Sequence, residues 1–412
     1  MKIFIFYCVL SVVTLSGYSQ DKKGILFSDS SWNEVLAKAK SENKLIFMDA
    51  FTTWCGPCKM MAKNVFPDRQ VAGLYNRNFI NVAMDMEKGE GIIVKDQYKV
   101  NAYPTYLFIN GDGEIIHKFV GEHSIEQFIQ GGLDALSPVR NLSYYEKNYQ
   151  AKKNDYKFIA GYLDALKDAY EEAATNKVAL DYLSHVKVSK LEDGGNWGLI
   201  ENYLYDASSA PFQYVVDHQN QFEKLYGTEI VDKKIYSTYL MWPRNYLHYS
   251  SEGKLNFDHK GFDHFLSQLE KSNYIKKDDV IGRSKLTIFS GVKDWKSYMN
   301  TLSGMVDKKI IPLNRTGAED IYFYINQVYR FGKENKNAIE VATNLAKIIS
   351  EKISGLPAQN KANYQDMYAN LLEVSGKNDE AKIVRASIDR KKLEEAQKSN
   401  PFQQLQVAPA KK

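Results

Sequence analysis

The chain has 412 residues, of which 44% are apolar and 25% charged, a balance that fits globular proteins and excludes a largely disordered chain. Lysine and arginine number 54 against 50 aspartates and glutamates, so no extended phosphate-tracking surface is expected and nucleic acid is not an expected partner. At roughly 100–200 residues per domain the length implies two to four domains, and chemistry found in one segment need not describe the rest.

Lys2 precedes an almost wholly apolar run from Ile3 to Leu15, and Gly17-Tyr18-Ser19 supplies small residues at the spacing a signal peptidase reads. Residues 1–19 are therefore expected to be a cleaved signal peptide, with the mature protein secreted across the inner membrane into an oxidising, periplasmic compartment. The run is shorter than the ~20 apolar residues of a membrane helix, and no later stretch reaches that length. Cys8 lies inside the leader, which leaves Cys55 and Cys58 in the mature chain.

Three uses are open to cysteines spaced this closely. A structural bond between them closes a very short loop, and chain-entropy stabilisation grows with loop length, so the staple is a poor one. Half a zinc site needs two further ligands, and the seven histidines offer no partner CxxC or HxxxH. Thiol-disulfide chemistry is the use the spacing favours.

In chain order, Ser31 and Glu34 have capping-box spacing ahead of Val35, Leu36 and Ala39, which predicts a helix. Lys44 to Phe51 is a short apolar run that reads as a buried strand. It leads into Trp54-Cys55-Gly56-Pro57-Cys58-Lys59, after which Met60, Met61, Ala62 and Val65 suit one helix face, so the dithiol stands where a strand hands over to a helix. Phe79 to Asp85, Thr105 to Asn110 and Ile115 to Val120 read as strands, Gly111-Asp112-Gly113 as a tight turn, and Ser124 to Leu136 as a helix. The pattern is an α/β sandwich closed by a hairpin and a final helix.

Residues 24–137 resemble a thioredoxin-fold domain, and WCGPCK at Trp54 to Lys59 is identical to the active-site hexapeptide of many thioredoxins. The resemblance implies a thiol-disulfide oxidoreductase that needs no cofactor beyond its redox-active Cys55-Cys58 disulfide and no metal. It implies Cys55 as nucleophile and Cys58 as resolving thiol. Asp49, six residues before Cys55, matches the family's buried acid. Pro104 in Tyr103-Pro104-Thr105 matches its cis-proline, and Gly121 another family glycine. Where the family often has a buried lysine beside the acid, this chain has Asn81. Trp54, Tyr103, Pro104 and Thr105 are the expected substrate-binding residues, with Gly56 and Pro57 forming the active-site loop. Gly56-Pro57 is the dipeptide of the reducing members, so disulfide-containing protein substrates and an upstream thiol donor, a membrane thiol relay, are the implied partners.

Physical chemistry supports these roles. A thiolate at a helix N-terminus faces unpaired amide hydrogens and the positive end of the helix dipole, which favours ionisation of Cys55. A carboxyl buried under the dithiol has a raised pKa and can move protons to and from Cys58 near neutral pH.

Beyond Pro138 the character changes. Residues 138–398 are expected to be mainly helical, as the spacing of Tyr156, Ile159, Tyr162, Leu163 and Leu166 illustrates. Asp320 to Arg330 with Ala338 to Ile353, and Tyr364 to Val374 with Asp379 to Leu393, form two apparent helical hairpins around Gly332-Lys333 and Gly376-Lys377. They resemble tetratricopeptide repeats weakly, their spacing being longer than that family's period. A protein partner for this region is expected, and the alternative reading of the chain is a partner-binding scaffold with a redox-sensing domain. The Asp258-His259 and Asp263-His264 pairs lack further ligands for a metal site, and the tyrosines at 203, 205, 236, 239, 246 and 249 read as packed core. Residues 399–412 are polar and proline-containing and are expected to be a disordered tail.

Overall fold

The computed structural model describes residues 24–389, which divide into two units after His185. The expected leader and tail lie outside the described residues.

In the first unit, local sequence sets most elements. The Ser31 N–H donates to Glu34 Oε2 at 2.9 Å and opens helix α1 (Trp32–Glu42). Strand β1 (Leu45–Phe51) runs to Cys55, the N-cap of α2 (Gly56–Asn64), which takes Pro57 in its first turn, where no N–H is needed. Asp68 accepts from the N–H groups of Gln70 and Val71 to start α3 (Arg69–Asn78). Strand β2 (Phe79–Asp85), helix α4 (Gly91–Gln97) and the β3–β4 hairpin (Thr105–Ile109, Ile115–Val120) come next, and Ser124 with Gln127 forms a capping box at α5 (Ile125–Leu136). The strands expected from sequence are present. Helices α3 and α4 are not signalled by the sequence pattern: α4 starts without a side-chain cap, on an Ile-Ile-Val run that by composition favours a strand.

The sheet order is β2-β1-β3-β4, with β1 and β2 parallel and the other pairs antiparallel. Phe47, Tyr106, Phe108 and Phe119 pack on one face against Met61, Tyr75 and Phe128, which come from α2, α3 and α5. Ile46, Met48, Leu107 and Ile109 pack on the other against Trp32, Val35 and Val94, from α1 and α4. Cover on both faces explains why β1 reads as an apolar run interrupted only by Asp49.

Three further helices belong to this unit: α6 (Leu142–Lys152), α7 (Tyr156–Asp168) and α8 (Glu172–His185). Helices α6 and α7 contact β4. The Leu142 N–H donates to His117 Nδ1 at 3.3 Å, and Lys118 pairs with Glu171 at 2.7 Å. The boundary expected at Ser137-Pro138 thus falls inside the unit. Helix α5 does end before the proline, but the chain returns to cover β4.

The second unit is mainly helical, with one short hairpin pairing Leu247–Tyr249 and Leu255–Phe257 that sequence did not signal. Helices Lys336–Glu351, Ala358–Val374 and Asn378–Ala386 pack in succession around Ala346, Leu371 and Ala381. The two Gly-Lys turns are built differently: Gly376 has φ +77°, whereas Gly332 has φ −125° and packs against the Trp295 ring. Asp258 caps the helix His259–Lys271, and His264 bonds Gln268. Tyr203 and Tyr239 are core residues, while Tyr249 is exposed.

Candidate active site

Cys55 and Cys58 are bonded, with S–S 2.00 Å and Cα–Cα 5.3 Å. Cys55 Sγ accepts the Cys58 N–H at 3.1 Å, so the first sulfur sits on the open end of α2. This is the environment that stabilises a thiolate once the bond is reduced, through the helix dipole and an amide donor already aimed at the sulfur. Cys55 is 2% and Cys58 6% exposed. Gly56, with no heavy atom within 4 Å of where a Cβ would stand, leaves the loop between the cysteines uncrowded, and Pro57 sets its backbone.

Trp54 is 65% exposed, and its ring meets Tyr103 edge-on with centroids 5.9 Å apart. Its indole N–H donates to the carboxylate of Glu87 at 3.0 Å, a residue that nothing in the sequence pattern singled out. The Tyr103–Pro104 peptide is cis, as the family resemblance implies. Thr105, expected at the substrate-binding edge, is buried, and its hydroxyl donates to the Ala102 carbonyl at 2.7 Å and so closes the loop upon itself. The Gly121 N–H donates to the Pro104 carbonyl at 2.9 Å with φ +103°, a backbone that suits glycine. Trp54, Tyr103, Pro104 and Gly121 are thereby joined in succession along one rim, in which Pro104, like Thr105, is itself buried.

Asp49 stands in β1 opposite Ala83 of β2 and Tyr106 of β3 and is 6% exposed. Burial alone raises its pKa from 3.8 to about 7. Its Oδ1 has no hydrogen-bond partner, which leaves a position on the acid where a proton can be exchanged. Asn81 is buried, two residues before Ala83, and bonds Asn76 Oδ1 at 3.1 Å. An uncharged amide there leaves desolvation as the sole influence on Asp49.

Two more residues escaped the sequence pattern. Tyr106 is fully buried with an unpartnered hydroxyl, and desolvation together with the Asp49 charge holds it un-ionised. His123 lies 3.1 Å by Nε2 from the Val120 carbonyl and offers its backbone N–H to Met61 Sδ at 3.4 Å, and burial lowers its pKa. Neither belongs to a motif; both are products of the strand register and the loop after β4. Among the described residues no group of three or more histidine, cysteine or acidic side chains is arranged to hold a metal.

Residues 32–134 match the thioredoxin-like domain family. Thioredoxin-T of Drosophila melanogaster is 34% identical over 84 residues, 20% of this chain and 50% of that protein. Thioredoxin H4 of Arabidopsis thaliana is 37% identical over 90 residues, 22% of this chain and 71% of that protein. A solution structure of a candidate disulphide-isomerase from Bacteroides thetaiotaomicron is 46% identical, covers 28% of this chain and 95% of that one, and superposes with a TM-score of 0.26. The chain therefore spans half the length of the first relative and about seven tenths of the second.

Proposed function

We propose that this chain, which belongs to the thioredoxin family, is an exported thiol-disulfide oxidoreductase that reduces protein disulfides through Cys55 and Cys58. The observation that carries the reading is the placement of Cys55 Sγ on the open N-terminus of α2 with the buried Cys58 one turn further in and the buried Asp49 on the adjoining strand.

The exchange proceeds from that placement. In the reduced protein the Cys55 thiolate attacks one sulfur of a substrate disulfide, forming a mixed disulfide and expelling the other substrate sulfur as a thiolate, which takes a proton. Cys58 gives its proton to ionised Asp49 and attacks Cys55 Sγ. The Cys55–Cys58 bond forms and the second substrate thiol leaves. The substrate gains two electrons and two protons, and the protein is left in the oxidised state described above. A dithiol donor must then reverse the last bond, and in an oxidising compartment a membrane thiol relay is the class of donor that supplies it. Trp54, Tyr103 and Pro104 form the rim against which the substrate chain lies, and the helical second unit engages a protein partner.

The test is reduction of insulin by the purified, reduced protein with Cys55→Ser as control: turnover that survives the substitution refutes the reading. Direction is read by equilibration against glutathione. The couple is expected near about −270 mV, the value of reducing thioredoxins, and a potential above about −180 mV contradicts a reductant.

A further inference from the structure

A cavity of about 410 Å³ opens beside β4, between the Tyr103–Pro104 loop and the helices added after α5. Asn101, Ala102 and Thr105 form one wall, so the cavity begins at the residues directly flanking Tyr103–Pro104. Glu146 of α6 and Tyr170 and Glu171, which come after α7, form the other. The Lys118–Glu171 ion pair crosses it at 2.7 Å. Its volume falls in the range of ligand sites, roughly 300–1,000 Å³.

Tyr170 is the informative residue. Its successor's N–H bonds back to the Leu166 carbonyl at 2.9 Å, the closing bond of a Schellman turn, and Tyr170 takes the left-handed position of that turn with φ +57°. Glycine fits that position at less cost, by about 1–2 kcal/mol. A tyrosine stands there instead, 60% exposed, with its hydroxyl only 3.1 Å from the point where a Gly121 Cβ would stand. Gly121 in turn holds the Pro104 carbonyl. The same turn closes other helices of this chain with a lysine at the left-handed position, whereas here it carries an exposed aromatic side chain to the end of the rim that Trp54 and Tyr103 begin.

We propose that this cavity is a subsite for the polypeptide flanking the attacked cysteine of the substrate, with Tyr170 as a specificity-determining residue at its mouth. The inference rests on the disulfide exchange proposed above and names where its substrate chain goes. Lys99 and Lys118 balance Glu146 and Glu171, so the lining selects neither an anion nor a cation. The Asn101 amide, the Tyr170 phenol and the ion pair instead present donors and acceptors suited to the neutral, regularly spaced amides of an extended chain. At about 3.3 Å per residue, a chain crossing the Pro104 loop enters the cavity within a few residues of its cysteine.

The experiment uses the full, reduced chain and symmetrical peptide disulfides in which the cysteine carries one, three or five Thr and Val residues on each side. For the wild type, the second-order rate constant of this single turnover is expected to rise about tenfold from the shortest to the longest peptide. Glu146→Trp, which puts bulk into the cavity from an exposed helix position, is expected to cut that gain to under threefold. Tyr170→Gly is expected to cut it equally while keeping or raising the melting temperature, because glycine relieves the left-handed position. That variant separates lost recognition from lost folding. A gain undiminished in Tyr170→Gly, or no gain with length in the wild type, overturns the subsite while leaving the oxidoreductase reading intact. A wild type that reduces none of the peptides, short or long, overturns both.

Discussion

Replacing Asp49 with asparagine tests the proton-transfer half of the mechanism and the physics of burial together. In the oxidised protein, burial raises the carboxyl pKa from 3.8 to about 7. Between those values the folded state keeps a proton that the unfolded chain releases, so stability falls as pH rises through the window, by about 1.4 kcal/mol per pH unit. Across the window the loss amounts to roughly 4 kcal/mol, an upper value because the unfolded reference retains some structure. The asparagine side chain keeps the shape of the carboxyl and cannot ionise, so the stability of Asp49→Asn relative to wild type should climb by up to that amount from pH 4 to pH 8. Amide hydrogen exchange in β1 and β3 of the oxidised proteins, compared at equal pH, reads the difference directly. In the reduced protein the same substitution should slow Cys58 attack on a Cys55 mixed disulfide at neutral pH by about 10²-fold, the lower end for loss of a positioned base, with the first attack by Cys55 less affected. A stability difference flat from pH 4 to 8 would place Asp49 in water. Equal slowing of both chemical steps would remove it from the resolving step.

Burial holds His117 down to about 4, so the unfolded chain takes up a proton first as pH drops and stability should fall by roughly 3 kcal/mol between pH 6.5 and 4; His117→Asn, which retains an acceptor for the Leu142 N–H, should abolish this dependence in the same exchange measurement, and an unchanged profile contradicts it. Because the Asp49 and His117 contributions have opposite sign over overlapping windows, each is read as the difference between variant and wild type at equal pH. Gly121→Ala places a Cβ at φ +103° and 3.1 Å from the Tyr170 hydroxyl, and should cost about 1–3 kcal/mol in thermal denaturation; a change under about 0.5 kcal/mol argues against the local geometry. A fragment of residues 24–185 should fold and reduce insulin, whereas one of residues 24–137 strips the cover from β4 and leaves His117 and its neighbours wet, so circular dichroism should show it less stable by several kcal/mol. Equal stability of the two fragments would return the domain boundary to Ser137-Pro138.

The chemistry of this protein was legible because it is written in short-range signals. Trp54 to Lys59 specifies both the cysteine pair and the strand-to-helix junction that brings Cys55 to an amide donor, and each capping residue acts within one turn of itself. The identity of Asp49 was equally visible, as was Asn81 in place of a cation. Its environment was not: β1 is apolar on both faces, and a period of two cannot distinguish a carboxyl under the dithiol from one at a strand end. Helix α4 was hidden by β-branched residues whose preference the packing against β2 overrides.

Sequence by itself therefore pointed to the thioredoxin fold, the Cys55–Cys58 pair and the helical character of the remainder of the chain, since each leaves local marks in a hexapeptide, capping residues or hydrophobic period, even though the sheet itself pairs strands tens of positions apart. Tertiary structure alone decided how far the first unit extends, that Thr105 turns inward, that Glu87 steadies Trp54, and that Tyr170 meets Gly121. The pairings of Glu87 with Trp54 and of Tyr170 with Gly121 join residues tens of positions apart, and the extent of the first unit follows from α6 and α7 covering β4; no local pattern encodes which distant segment will meet which.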